Sequence, residues 1–140
     1  MYNKKKSPQK DPCLEYLEQH TGAILALKDN EKEHQHQLEQ LLEQTKGYFE
    51  KNYKVLNPTF MRKLYNLIKS GNNLFDLKLK VPEILYYAAR QQDRSKKESS
   101  NLASLFEQII QKASHDNHIK SIHYFAECTI AYHTYYKETN

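Results

Sequence analysis

The sequence is poor in residues that interrupt helices: its 140 residues include three glycines and four prolines, and β-branched residues are few. Leu, Glu, Gln, Lys and Ala dominate the segments between these breakers, which favours helices over strands. At this length the chain fits one domain of ordinary size with a sizeable core. We therefore expect an all-α, single-domain protein.

Cysteine and long apolar runs are scarce as well. Cys13 and Cys128 are far apart and form no C-x-x-C motif, so a reducing compartment is expected. The N-terminal M-Y-N-K-K-K-S-P lacks the apolar region of a signal peptide. No segment approaches the roughly 20 apolar residues that cross a bilayer. We expect a soluble, cytoplasmic protein with no membrane partner.

Apolar residues recur at helical spacing along the chain and predict a bundle of five to six helices. Residues 1–10 are polar and lysine-rich, so we expect a disordered basic arm there, followed by a helical domain over residues 11–138. Asp11 and Pro12 suit the start of the first helix, because an acidic cap satisfies free N–H groups and proline has none. A second predicted helix follows residues 29–30.

Breakers also set the predicted limits of the middle helices. Asn57 and Pro58 predict a helix start, and Gly71 predicts its end in the left-handed conformation that glycine tolerates. The next helix is expected to begin near Pro82 and to run to about Asp93, followed by the polar connection D-R-S-K-K-E-S-S. Apolar residues at core spacing then predict a fifth, buried helix with Leu102, Leu105, Phe106, Ile109, Ile110 and Ala113.

The last predicted helix, from about Asn117 to Lys137, has apolar groups on two sides. At 100° per residue, one face is wide enough to be the core contact and contains Ile122, Phe125, Ala126, Thr129, His133 and Tyr136. A second row at i, i+4, i+7 and i+11 contains Tyr124, Cys128, Ala131 and Tyr135. We interpret the second row as a candidate subunit interface. Alternatively, its tyrosines pack under the N-terminal helices with their hydroxyls in water.

The formal net charge of +4 comes entirely from residues 57–140, where twelve Lys and Arg outnumber eight Asp and Glu (12 − 8 = +4). No acid occurs in the 25 residues between Glu50 and Asp76. Cations and side-chain donors on one helix face are the groups that bind phosphate oxygens. We therefore predict backbone contact with RNA or DNA by Arg62, Lys63, Asn66, Lys69, Arg90 and Arg94. Arg90 and Arg94 are expected to form one stripe with Lys97. Alternatively, all these cations form an ordinary solvated face that binds no ligand.

No catalytic or metal-binding motif accompanies these charges. Of the seven histidines, His34 and His36 diverge on a helix, and no acid or cysteine completes a ligand set around His115, His118 and His123. The sequence has no P-loop and no G-x-S-x-G, and none of the arginines above has the R-x4-6-H spacing of HEPN-type helical ribonucleases. We predict no enzymatic activity, no cofactor and no metal. A metal-dependent hydrolase is the least favoured alternative.

Three segments, in order along the chain, resemble one family. K-L-Y-N-L-I (63–68), Y-Y-A-A-R-Q (86–91) and A-E-C-T-I-A-Y-H-T-Y-Y (126–136) are similar to K-L-R-N-L-L, Y-Q-A-G-R and E-A-L-V-A-Y-H-K-Y-Y in the small α-helical subunit of type III-A CRISPR (Csm) effector complexes. The likeness covers residues 57–137. Its last segment is the most specific and matches at Glu127, Ala131, Tyr132, His133, Tyr135 and Tyr136.

The resemblance implies a non-catalytic subunit that associates with other Csm subunits and with copies of itself. In that family several copies stack in a filament and line the groove that holds the CRISPR RNA and its target RNA. Because pairing with the guide supplies specificity, such a subunit needs a cationic face that contacts the RNA backbone whatever the base sequence. Tyr65 stands where the family pattern has an arginine, and Arg62 can substitute for that contact. The alternative is a helical scaffold or adaptor that binds only protein.

Overall fold

Helices account for almost all of the described chain. The structure, a computed structural model, describes residues 10–28 and 35–140. These residues contain no strand and form seven α-helices: α1 Pro12–Gln19, α2 Thr21–Leu25, α3 Gln35–Asn52, α4 Pro58–Lys69, α5 Leu74–Ala89, α6 Asp93–Lys112 and α7 His118–Thr139. A 3-10 helix, Tyr53–Val55, follows α3. The predicted all-α, single-domain bundle is confirmed; the expected basic arm lies outside the described residues except for Lys10.

Two helices begin where the sequence predicts. Asp11 Oδ1 accepts a hydrogen bond from the Cys13 N–H (2.8 Å), and Asn57 Oδ1 accepts one from the Thr59 N–H (2.8 Å). Asp11 Oδ1 also accepts from Lys51 Nζ at 2.9 Å, which ties the start of α1 to the end of α3. Burial alone would raise the pKa of the Asp11 carboxyl, but the hydrogen bonds that it accepts bring the pKa below its usual value.

The predicted first helix is divided into two at His20. The His20 ring stacks on Tyr16 with a centroid distance of 3.9 Å, and its Nδ1 lies 2.7 Å from the Tyr16 carbonyl oxygen. The His20 N–H bonds to the Leu17 carbonyl over a tighter turn, which closes α1 before α2 begins. Helical periodicity continues across this break, so the sequence predicted five to six helices where the described residues contain seven.

The predicted limits of the next helices are wrong. α5 begins at Leu74 rather than near Pro82, because Asn73 Oδ1 caps it by accepting from the Asp76 N–H (2.8 Å). Pro82 lies inside α5 on its exposed face. D-R-S-K-K-E-S-S is not a connection: it forms the first two turns of α6. Its Asp, Arg and Lys side chains are exposed, whereas Glu98 is partly buried and Ser99 is buried. The chain reverses at the start of α6, where Asp93 has a left-handed φ of 52°. Aspartate tolerates this conformation better than most residues.

Gly71 is required by packing rather than by a left-handed backbone. None of the three glycines has a positive φ, so the predicted left-handed helix end is wrong. A Cβ at Gly71 would lie 2.9 Å from Leu77 Cδ1 and 3.1 Å from Leu77 Cα. The first turn of α5 therefore passes too close to α4 for any side chain at this position.

The core is built around α6 and α7. All six core residues predicted for the fifth helix are buried, five of them in α6 and Ala113 directly after it. All six on the predicted core face of α7 are buried as well. α7 packs against α3 and α4, and α5 packs against α6 and α4. α4 therefore lies between α5 and α7 with its remaining face in solvent.

Candidate nucleic-acid interface

The outer face of α4 presents half of the predicted contact residues. The inner face is buried and contains Phe60, Met61, Leu64 and Ile68. Arg62, Lys63 and Asn66 are exposed on the other side. Neither Arg62 nor Lys63 forms an ion pair with another described residue, and the Asn66 amide is uncharged. Their charges and donors are therefore available to a ligand.

Lys63 and Arg90 meet in a concavity between α4 and the end of α5. The Lys63 ammonium lies 4.0 Å from the centroid of the Tyr87 ring. The Arg90 guanidinium lies 5.3 Å from the centroid of the Tyr86 ring and donates a hydrogen bond to the Tyr86 hydroxyl. The concavity has a volume of about 440 Å³, and both cations line it. Cations held over aromatic rings in an open concavity suit phosphates and unpaired bases.

A shallower depression of about 310 Å³ extends from Lys63 along α4 and includes Asn66 and Ser70. Ser70 already donates its hydroxyl hydrogen to the Leu67 carbonyl (2.9 Å). Asn66 is therefore the neutral donor that remains for a phosphate oxygen. Glu83 also lines this depression. The depression is therefore less favourable to an anion than the Lys63–Arg90 concavity.

Lys69 is paired with an acid on another helix. Its Nζ lies 2.7 Å from Oε1 of Glu127 on α7, and this hydrogen bond raises the pKa of Lys69. The Lys69 and Glu127 side chains are 37% and 45% exposed, so solvent screens the pair. A phosphate can reach Lys69 only in competition with the Glu127 carboxylate.

Arg94 lies apart from Arg90. α5 ends at Ala89 and α6 begins at Asp93, so the predicted stripe of Arg90, Arg94 and Lys97 on a single helix is wrong. Arg94 instead lines a separate concavity of about 350 Å³ with Lys54 and Asp93. The structure thus brings Lys63 and Arg90 together, and it does not bring Arg94 to them.

The two halves of the predicted interface row on α7 differ in their exposure to solvent. Tyr124 and Cys128 are partly buried, and the Lys28 ammonium lies 4.4 Å from the centroid of the Tyr124 ring. Burial raises the pKa of the Cys128 thiol. Ala131 is exposed, and Tyr135 is 57% exposed. The C-terminal half of the row is therefore open to another chain, whereas its N-terminal half is partly covered by the fold itself.

Sequence reasoning missed an apolar stripe on α5. Phe75, Leu79, Pro82 and Tyr86 follow one another at i, i+4, i+7 and i+11 on the exposed side of this helix. Phe75 is 72% and Leu79 is 60% exposed. The stripe was missed because the helix was expected to begin near Pro82, after its first two members. Asn73 as an N-cap before L-F-D-L is the signal that could have revealed it.

Two of the described histidines contact backbone carbonyl oxygens within the fold. His123 Nε2 lies 3.1 Å from the Gly71 carbonyl oxygen, and His133 Nε2 lies 2.9 Å from that of Leu56. No group of three His, Cys, Asp or Glu side chains that could hold a metal occurs in residues 10–28 and 35–140. His34, one of the histidines considered for a metal, lies outside these ranges.

The region from α3 to α7, which builds these surfaces, matches a protein family. The family model, described as Csm2 Type III-A, matches residues 32–139. The chain belongs to the Csm2 Type III-A family. It is therefore a structural subunit of a type III-A CRISPR complex and associates with other Csm effector subunits. The resemblance predicted from the three segments is confirmed.

The Csm2 match reaches further toward the N-terminus than the predicted likeness over residues 57–137, and it includes α3. Every predicted contact and interface residue lies within it, whereas α1 and α2 lie outside. No curated protein and no solved structure matched the chain. None of the described helices is long and apolar enough to span a membrane.

Proposed function

We propose that this Csm2 family member is a non-catalytic subunit that contacts the backbone of the CRISPR RNA and its target RNA without reading their sequence. One observation carries the proposal: Lys63 and Arg90 are held over the rings of Tyr87 and Tyr86 in one concavity. Arg62 lies exposed on the same face of α4 as Lys63 and extends this cationic surface. The compartment proposed for this role is the cytoplasm.

The electrostatics of the surface favour a phosphodiester backbone. Each Lys or Arg that neutralises a phosphate releases a counterion, so affinity depends on the number of such contacts rather than on base identity. The tyrosine rings restrict the Lys63 and Arg90 side chains before RNA arrives, which reduces the conformational entropy lost on binding. Guide pairing supplies the specificity of such a complex, so base readout by this subunit is unnecessary.

We also propose that copies of the chain stack head to tail. A repeating contact of this kind needs two different surfaces on each protomer, because a heterologous interface that does not close generates a filament. The α5 stripe, with Phe75 and Leu79, is one apolar surface. The open end of the α7 row, with Ala131 and Tyr135, is the other. Tyr124 and Cys128 contribute only at the edge of that second surface, because both are partly buried.

Salt-dependent RNA binding tests the first proposal. Short single-stranded RNAs of unrelated sequence are titrated by fluorescence anisotropy from about 50 to about 200 mM salt, with the wild type and with R62Q/K63Q/R90Q. The wild type should bind all sequences alike, and its affinity should fall with salt. The variant should lose about 2 from the log–log salt slope, because each of three phosphate contacts in a single strand contributes about 0.7.

The matched control is K46Q/K96Q/K112Q, which removes the same charge from exposed positions on α3 and α6. Its salt slope should stay that of the wild type. Equal loss in both variants would show that total charge, and not the Lys63–Arg90 surface, drives binding. That result would contradict the proposed site.

A scaffold or adaptor that binds only protein is the second candidate, and the exposed α5 stripe favours it. Phe75 and Leu79 offer an apolar contact that needs no nucleic acid. This candidate predicts no RNA binding at any salt concentration, so the same titration separates the two functions.

A further inference from the structure

A second basic surface lies where the first turns of α7 meet the segment just after α2. Two concavities, of about 280 Å³ and about 580 Å³, are found there, and Lys28 and Lys120 line both of them. Because they share these two lysines, the concavities are parts of one groove, which we call the α7 groove. Lys69 lines its far end beside Glu127.

Lys28 is held against α7 at two points. Its backbone N–H donates to Ser121 Oγ at 2.9 Å, and its ammonium lies 4.4 Å from the centroid of the Tyr124 ring. An aromatic face leaves the positive charge of the ammonium in place, whereas a carboxylate would neutralise it. Neither Lys28 nor the exposed Lys120 takes part in an ion pair between described residues.

The charge of the α7 groove favours an anion. Among the described residues, three lysines and one glutamate line it, and their formal charge is +2 (3 − 1) with the histidines neutral. Glu127, the one acid among the described lining residues, already accepts the hydrogen bond from Lys69. His118 Nδ1 accepts from the Ser114 N–H (3.2 Å), so in the neutral ring Nε2 carries the hydrogen and is a donor. The positive end of the α7 dipole adds to the same field.

We propose that the α7 groove binds a further stretch of RNA backbone, with Lys28 and Lys120 each contacting a phosphate. The inference rests on the proposed function, because the strand continues from the α4 face. Lys69 joins the two surfaces: it belongs to α4 and lines the groove. Lys28 lies outside residues 32–139, so part of this site comes from a segment that the family model does not match.

The decisive variant is K28Q/K120Q, which removes both cations and keeps the Lys28 backbone contact to Ser121. Its salt slope for single-stranded RNA should be lower than that of the wild type by about 1.4, two contacts at about 0.7 each. K46Q/K96Q, with the same charge change on α3 and α6, should keep the wild-type slope. Circular dichroism and a urea midpoint confirm that each variant is folded.

Amide NMR shifts of the wild type provide the second measurement. RNA should shift residues 118–124 together with the exposed residues of α4, and inorganic triphosphate should shift 118–124 less at equal phosphate concentration. Shifts at 118–124 with triphosphate alone would overturn the proposal in favour of a small anion. A K28Q/K120Q slope equal to that of the wild type would also overturn it.

These outcomes separate the groove from the proposed function. An unchanged K28Q/K120Q slope beside a lowered slope in R62Q/K63Q/R90Q overturns the groove alone. A lowered slope in K28Q/K120Q only, with RNA shifts confined to 118–124, supports the groove and overturns the α4–α5 site. A wild type that binds no RNA overturns both.

Discussion

Lys69 on α4 and Glu127 on α7 form an ion pair that joins the two helices, with 2.7 Å between Nζ and Oε1. The pair lies where the α4 face meets the α7 groove, so a carboxylate stands between the two proposed phosphate-binding surfaces. Glu127 also belongs to the segment most similar to the type III-A small subunits. The negative charge at this point therefore opposes RNA on both surfaces while it holds Lys69 in position.

The first prediction is that E127Q strengthens RNA binding. The substitution keeps the length of the side chain, removes its repulsion of phosphate and frees the Lys69 ammonium. We expect an affinity about 2- to 5-fold higher at low salt, the range of an exposed charge interaction, measured by anisotropy with single-stranded RNA. The gain should shrink as salt is raised.

E39Q is the control for this substitution, because Glu39 is exposed on α3 and the change in net charge is the same. Its affinity should stay near that of the wild type. Weaker binding by E127Q would contradict the prediction, since it would mean that Glu127 orients Lys69 toward RNA instead of competing with it.

The second prediction concerns the close contact between Gly71 and Leu77. G71A should lower the free energy of unfolding by about 1–3 kcal/mol, because the new methyl group must push against the backbone and side chain of α5. Urea unfolding followed by circular dichroism measures the loss.

G22A provides the comparison, since the nearest group to a Cβ at Gly22 is Lys112 Nζ at 3.9 Å. Alanine is favoured over glycine in a helix, so G22A should stabilise the protein by up to about 1 kcal/mol. Equal stability of G71A and the wild type would show that α5 moves away from α4 at little cost.

The fold was largely predictable because periodicity reports burial directly. Every residue on the predicted core faces of α6 and α7 is buried, since a stripe of this width has to be covered. Helix limits were less predictable around Pro82. A proline favours a helix start, but Asn73 caps α5 earlier and the Pro82 ring lies in solvent. Capping residues and prolines indicate where a helix can begin, and tertiary packing decides which of these positions becomes the actual start.

The candidate site was predictable as a set of charges but not as an arrangement. The charge pattern of the sequence identified Lys63 and Arg90. The contacts of their cationic groups with the rings of Tyr87 and Tyr86 depend on how α4 and α5 fold and pack. The pairing of Lys28 with Lys120 in one groove was not predicted, because the two residues are 92 residues apart (120 − 28). They come together only through the contact of the α2 region with α7. Long-range contacts of this kind leave no local pattern.

The third prediction is that the α5 stripe drives self-association. F75S/L79S removes two exposed apolar side chains without touching the core, so the fold should be retained. Sedimentation velocity of the wild type should show an average size that rises with concentration, and the variant should remain monomeric. K78S, a neighbouring exposed position on α5, should behave like the wild type. The same concentration dependence in F75S/L79S would exclude the stripe as the contact.

The last prediction concerns the buried His133. Burial lowers the pKa of His133 below 6.5, against the opposing effect of the Leu56 carbonyl, to which its Nε2 is hydrogen-bonded. The folded state thus binds this proton less readily than the unfolded chain, so stability is complete above about pH 6.5 and is lost as the pH falls below it. Urea midpoints measured between about pH 7.5 and about pH 5 should fall in the wild type.

H133Q separates this effect from the titration of other groups. A glutamine amide can donate to the Leu56 carbonyl but has no proton to gain, so the urea midpoint of H133Q should depend less on pH than that of the wild type. H36Q, at an exposed position on α3, should keep the wild-type dependence. If H133Q and the wild type lost the same stability on acidification, other groups would carry the pH dependence, and the neutral His133 would contribute only its packing and its hydrogen bond.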